Sequence, residues 1–243
     1  MAPTTHNNTP KKTPIPLPRP APRKRAGRGT KEKPAPVALT PLELGQIVVP
    51  IISDTPLIVH AWSEKAKQIM IGVQNKEAKQ KKGKRNPAEE YEACFYRFPK
   101  GAEHSQTEYA FPASAFKNAL VSACGRFTDT LKMTQARGAF HIEGWKGTDL
   151  VPIFGDPVDR TDMVRVGMGS ADIRYRPEFP VWETALTITY IKSVISVEQI
   201  VSLIDYAGFS VGIGDWRPER NGDKGRFHLC LLYTSDAADD LLC

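Results

Sequence analysis

The chain has 243 residues, a formal net charge of +6, 25% charged residues and 41% hydrophobic ones. Its longest apolar stretch, Ile47–Ile52, falls far short of the roughly 20 residues that a membrane span requires. Of its 4 cysteines, Cys94 and Cys124 lie outside the atypical C-terminal segment and have no CxxC partner and no histidine at ligand spacing, which argues against a disulfide framework or a zinc site and for a reducing, cytoplasmic compartment.

The charge is concentrated at one end. Residues 1–41 hold ten of the 20 prolines and nine Lys or Arg against the single acid Glu32, a local charge of +8. So few large apolar side chains cannot offset the entropy of ordering. The segment is expected to be a disordered basic arm, with polyproline character from Pro14 to Pro22 and no signal peptide. At the other end, CLLYTSDAADD (Cys230 to Asp240) resembles the translation of a transposase-type sequencing adapter. Residues 230–243 are therefore read as an adapter-derived artefact, with the natural C-terminus expected beyond Leu229. With the arm and the tail's −3 set aside, residues 42–229 carry +1 and are long enough for one core.

Along that region, Leu42 to Ile52 predicts a first strand with Pro50 near its end or at an edge. Ser63 can cap a helix running through Met70, and Asn75 to Arg85 (NKEAKQKKGKR) is a basic loop. Asn86 and Pro87 supply a cap and a first helical residue, predicting a helix to about Phe95 with Tyr91, Cys94 and Phe95 buried. Ser114 can cap a helix from Ala115 to Cys124 whose stripe is Phe116, Ala119, Leu120 and Ala123, with Gly125 as its stop. Short strands are predicted at Phe140–Glu143 and Leu150–Phe154. Trp182, Thr184, Leu186, Ile188 and Tyr190 alternate with polar or small residues, as a half-buried strand does. Ser196 and Gln199 form a capping box for a helix with Gly208 at its C-terminal glycine position, and a last strand is expected near Gly225 to Leu229.

Four features point to a polyanion. The arm would neutralise phosphates and release counterions, although it would serve equally as a solubilising tail. The loop cations Lys79, Lys81, Lys82, Lys84 and Arg85 could lie along a phosphate backbone or simply be solvated. Arg165, Arg174 and Arg176, with Tyr175 and Trp182 near them, form a cation and aromatic cluster, although Arg174 could equally pair with Asp172 or Glu178 on the surface. Gly212, Gly214, Trp216 and Arg217, followed by Arg220, Lys224 and Arg226, read either as an anion nest or as a tight structural turn. This turn lacks the features of a dinucleotide fingerprint or a P-loop. The 5 histidines are dispersed and no HExxH or GxSxG occurs, so a non-enzymatic protein without a cofactor is expected.

Two segments carry a resemblance. Phe111-Pro112-Ala113-Ser114-Ala115-Phe116-Lys117-Asn118-Ala119-Leu120 resembles the proline and small-residue start of a helix in the repeat-associated mysterious proteins. Gly208-Phe209-Ser210-Val211-Gly212-Ile213-Gly214 is similar to their glycine-rich loop. The likeness covers residues 43–229 and is to backbone subunits of CRISPR effector complexes and their uncharacterised bacteriophage relatives. It implies an α+β fold with a ferredoxin-like, RNA-recognition-motif core, an insertion at residues 71–108, a "thumb" loop, and head-to-tail homo-oligomers along a single strand of RNA or DNA. Lys117, Arg165, Arg174 and Arg176 would then line the groove, and Trp216 would stack. Two other readings stay open: a phage structural or scaffold protein whose arm contacts nucleic acid or an acidic partner, and a magnesium-dependent nuclease or recombination protein using Asp156, Asp159, Asp162 and Asp215.

Overall fold

Alternate residues of Leu44–Ser53 fall inside and outside: Val49 and Ile51 are buried, Leu44 and Val48 exposed, so the segment is a strand with one covered face. A computed structural model describes residues 41–76, 85–127, 131–166 and 169–230. The arm up to Thr40, Lys79, Lys81, Lys82, Lys84 and the tail after Cys230 lie outside the described residues. In chain order the elements are β1 (Leu44–Ser53), β2 (Leu57–Ile58), α1 (Glu64–Gln74), α2 (Pro87–Glu92), β3 (Tyr96–Arg97), β4 (Tyr109–Pro112), α3 (Ala113–Phe127) and α4 (Met133–Ala139). They continue with β5 (Phe140–Glu143), β6 (Leu150–Pro152), β7 (Val158–Val166), β8 (Ser170–Phe179), β9 (Glu183–Ile191), α5 (Val197–Ser210) and β10 (Phe227–Leu229).

The fold is α+β, and its core is ferredoxin-like. The largest sheet has the order β10-β1-β9-β5, with every neighbouring pair antiparallel. Taking β1, α3, β5, β9, α5 and β10 as one βαββαβ path, that order is 4-1-3-2. The helices cover one face of the sheet. Phe116, Ala119, Leu120 and Ala123 of α3 and Ile200, Leu203, Ile204 and Ala207 of α5 are buried with Val49, Ile51, Leu186, Ile188 and Phe227 of the strands. Between β1 and α3 the chain makes an excursion through β2, α1, α2, β3 and β4, which contains the range 71–108 and is longer than it. A second excursion, through β6, β7 and β8, separates β5 from β9.

Local signals account for the starts of three helices. The Ser63 hydroxyl accepts the Ala66 N–H, the Asn86 side chain accepts the Ala88 N–H, and Ser196 and Gln199 form the reciprocal capping box at α5. Elsewhere tertiary packing overrides the local expectation. Gly125 does not stop α3; a Cβ there would lie 2.4 Å from the Met133 side chain, so the glycine admits α4. Gly208 lies inside α5, where a Cβ would lie 1.8 Å from the Phe227 carbonyl oxygen, and the left-handed position after the helix belongs to Gly212 (φ 67°). α2 ends at Glu92, although Cys94 and Phe95 are buried as expected. Pro50 sits in an inner strand; its carbonyl accepts the Cys230 N–H just beyond β10, so its missing donor falls where that ladder runs out.

Two glycines of opposite surroundings test this packing. Gly208→Ala is expected to cost about 1–3 kcal/mol as the helix is pushed off β10. Gly138→Ala, with nothing within 4 Å of its Cβ position in α4, is expected to gain about 0.5–1 kcal/mol. Denaturant unfolding of the two variants beside the parent measures both.

Candidate functional site

The residues after α5 turn sharply and bond back to the first excursion. The Asp215 N–H donates to the Ile58 carbonyl (3.1 Å), the Gly225 N–H to Pro56 (2.7 Å), and the Ile213 N–H to Gly225 (2.9 Å). Gly214, at φ 77°, passes so close to β2 that a Cβ would lie 2.6 Å from the Ile58 oxygen. Trp216 is non-glycine yet left-handed (φ 59°), and its carbonyl is fixed by the Lys224 N–H at 3.0 Å. Such a conformation costs of order 1 kcal/mol or more and persists only where the surroundings impose it. The Trp216 side chain is 49% exposed.

This loop and the start of α3 face each other across a groove of about 310 Å³. Phe111, Pro112, Ser114, Ala115 and Asn118 form one wall, Gly212, Gly214, Asp215, Arg217 and Glu219 another, and His60 and Tyr96 close it. The two segments that carried the family resemblance, about a hundred residues apart in sequence, thus line one site.

The charges in and behind the groove are paired. Asp215 Oδ2 accepts from His60 Nδ1 (3.2 Å) and Arg176 Nη1 (2.5 Å). Arg176 is buried, and its Nη2 donates to Asp162 (2.6 Å). Arg160 donates to Asp162 and to Glu178 (2.7 Å), extending the network along the face shared by β7 and β8. Burial would raise the Asp215 carboxyl, but the His60 hydrogen bond and the Arg176 and His60 charges outweigh it and hold it below the ordinary range. Asp162 is likewise pushed up by burial and held low overall by Arg160 and Arg176. On the groove wall, Glu219 pairs with Arg217 (3.0 Å) and Arg126 (3.2 Å).

The sequence-derived cations therefore divide. Gly212, Gly214 and Arg217 line the groove, and Trp216, Arg220 and Lys224 lie in the same loop, while Arg226 packs over the Phe209 ring at 4.6 Å. Lys117 turns away from the groove and donates to His141 Nδ1 at 3.0 Å. Arg165 is exposed on β7 and Arg174 is half-buried on β8, 3.9 Å from Asp172. Arg85 bonds Glu90 and Asp172 (both 2.6 Å) and the Ile173 carbonyl, which holds it against β8. Arg176 is the correction: the expectation put it on a phosphate, but at 2% exposure between two carboxylates it has no path to one. His60, Tyr96, Ser114, Asn118 and Glu219 were not singled out as site residues; Ser114 and Asn118 stood in the Phe111–Leu120 motif, the one signal that could have found them.

No family model matches the chain, and no curated protein matches it. The crystal structure of Cmr6 from Pyrococcus furiosus is similar over 78% of this chain and 100% of that one, at 12% identity and a TM-score of 0.37. Among the described residues no helix is long and apolar enough to cross a membrane.

Replacing Arg176 by Met leaves Asp162 and Asp215 without their shared cation. The expected loss is about 3 kcal/mol, at the lower end for a broken buried pair because the Asp215 side chain is 38% exposed. Both carboxyls titrate low in the fold, so their stabilisation is complete above the unfolded value near about 3.9 and is lost as pH falls below it. Arg176→Met should therefore unfold more easily at about pH 7 and lose less on acidification to about pH 3 than the parent does, as urea titrations at the two pH values would record.

Proposed function

We propose that the protein binds single-stranded nucleic acid without cutting it, through the groove between the glycine loop and the start of α3, and that copies assemble along the strand. The observation that carries this reading is the convergence of Phe111–Asn118 and Val211–Glu219 on one groove beside an exposed, conformationally forced Trp216. An exposed indole offers a stacking surface to a base of any identity. Ser114 and Asn118 supply neutral hydrogen-bonding groups suited to a sugar–phosphate backbone. The groove carboxylates of Asp215 and Glu219 are matched by Arg176, Arg217 and Arg126, so they do not repel a phosphate as bare charges would. Arg220, Lys224 and the arm's +8 add the salt-sensitive part of the binding.

The non-catalytic part of the reading is supported by what holds the candidate acids. Asp162 and Asp215, two of the four candidate acids, share Arg176, whose guanidinium competes with a metal ion for their oxygens. RNA and DNA are both compatible with these groups.

Fluorescence anisotropy with labelled single-stranded RNA, single-stranded DNA and duplex, over a salt series, tests the proposal. The full chain should prefer single strands. Removing residues 1–40 should flatten the salt dependence yet leave measurable binding, and Trp216→Ala should weaken it about tenfold at unchanged salt slope. Complete loss of binding without the arm would transfer the contact to the arm and favour a scaffold protein.

A further inference from the structure

We propose that Arg226, held on the Phe209 ring, is a phosphate-binding site outside the groove, and that it takes a backbone phosphate of the bound strand. The strand as the source of that phosphate rests on the proposed function; the anion site itself does not. Among the described residues four arginines form no ion pair: Arg137, Arg165, Arg220 and Arg226. The first three are exposed and solvated, whereas Arg226 is half-buried. Its side chain has no hydrogen-bond partner among the described residues, and its Nε is buried. Arg176 has an orphaned Nε too, but both of its Nη atoms are paired with carboxylates. A guanidinium drawn partly out of water with its N–H donors unmatched is costly until a ligand supplies the acceptors.

Backbone packing builds the site. The Arg226 N–H donates to Thr55 Oγ1 (2.9 Å), and its carbonyl accepts the N–H groups of Asp54 (2.9 Å) and Thr55 (3.3 Å), so its main chain is fixed on both sides. The next carbonyl, of Phe227, passes Gly208 with no room for a Cβ. That close crossing brings Phe209 beside Arg226, and the guanidinium carbon lies 4.6 Å from the ring centroid. The ring covers one face of the guanidinium and leaves its edge free. Nε is buried, while the equally unpartnered Nη1 and Nη2 are open to solvent. A ligand therefore meets the fork end-on, where two N–H groups match two oxygens of a phosphate. The acids nearest along the chain and ladder are engaged elsewhere: Asp54 accepts from His228 Nδ1 (2.6 Å), and Asp205 from the Leu229 N–H (3.1 Å).

The surroundings favour a phosphate carried on a nucleotide over a carboxylate of a protein partner. Phe209 is 67% exposed, so apolar aromatic surface lies beside the fork, where the sugar or base attached to a bound phosphate would rest. Lys224, two residues before Arg226, donates its N–H to the Trp216 carbonyl (3.0 Å), which ties the anion site into the loop that carries the exposed indole. A strand stacked on Trp216 thus has a fixed phosphate anchor in the same loop. Stacking on an aromatic face also suits arginine and not lysine, because only a planar cation keeps its donors aligned while one face is covered.

Thermal unfolding of the nuclease-treated full chain in pyrophosphate, against potassium chloride of equal ionic strength, reads the anion site without nucleic acid. The melting temperature of the parent and of Arg220→Gln should rise in pyrophosphate, and that of Arg226→Gln should not. Arg226→Gln strands no carboxylate, so its circular dichroism spectrum should match the parent's. Anisotropy with a labelled single strand over a salt series then reads the source of the phosphate. Arg226→Gln should weaken binding and lower the logarithmic salt slope by about 0.7, the share of one single-strand phosphate. An equal pyrophosphate effect in Arg226→Gln and the parent overturns the site. An effect lost with Arg226 beside an unchanged salt slope overturns the strand as its ligand and assigns the site to a free phosphate or nucleotide. A parent that binds no strand, yet is stabilised by pyrophosphate through Arg226, sinks the proposed function and upholds the phosphate site.

Discussion

The Arg176 guanidinium, shared between Asp162 on the neighbouring strand and Asp215 in the glycine loop, fixes how the second excursion meets the end of α5. A charge taken out of water costs several kcal/mol unless partners replace the water, and here two carboxylates from separate parts of the chain do so. Replacement is not complete, because Nε of Arg176 has no hydrogen-bond partner. Such a pairing adds little net stability but penalises any arrangement in which hairpin and loop are displaced, since either shift strands a buried ion. The β7–β8 hairpin and the groove wall are thereby set in one register.

Everything at the groove follows from that register and from close backbone approach. Asp215 can reach Arg176 and His60 because its own N–H is bonded to Ile58, and that bond needs Gly214 to pass β2 without a side chain. The same turn leaves Trp216 left-handed and its indole in solvent. A buried ion pair, Gly214 and one strained residue thus set the positions of the groove groups at β2 and in the loop after α5.

Sequence made visible the features whose causes are local. The caps at Ser63, Asn86 and Ser196 act over three residues, and the β9 alternation was legible because its inner face is apolar while its outer face is not. The β7–β8 hairpin escaped because its covered face is built of Arg160, Asp162, Arg176 and Glu178, so its period-two pattern is one of charges and looks like solvated surface. Arg176 was misplaced for the same reason: its partners are 14 and 39 residues away, and a lone arginine in sequence carries no mark of burial. Gly208 and Gly212 show the limit for turns. Both fit the end of an apolar stripe, and only the crossing of α5 over Phe227 decides which one serves packing and which one the turn.

The residues on the second face of the main sheet bear on where the proposed contact surface lies. In antiparallel register, Gln46, Val48, Pro50 and Ile52 of β1 lie beside Thr189, Thr187, Ala185 and Glu183 of β9, with His141 and Glu143 of β5 at one side and His228 of β10 at the other. None of these residues is Phe, Tyr or Trp, and the Glu143 carboxylate occupies the middle of the array, bonded to Gln46 and Thr189. Base stacking needs an aromatic plane, and phosphate needs either a cation or a surface free of negative charge; this face offers neither in quantity. The ferredoxin-like topology therefore serves as a frame that carries two excursions and a glycine loop, and the aromatic and cationic chemistry sits where those excursions close on the start of α3. A nucleic-acid strand bound by this protein would run past Trp216 and Arg217 and leave the sheet face free for another use.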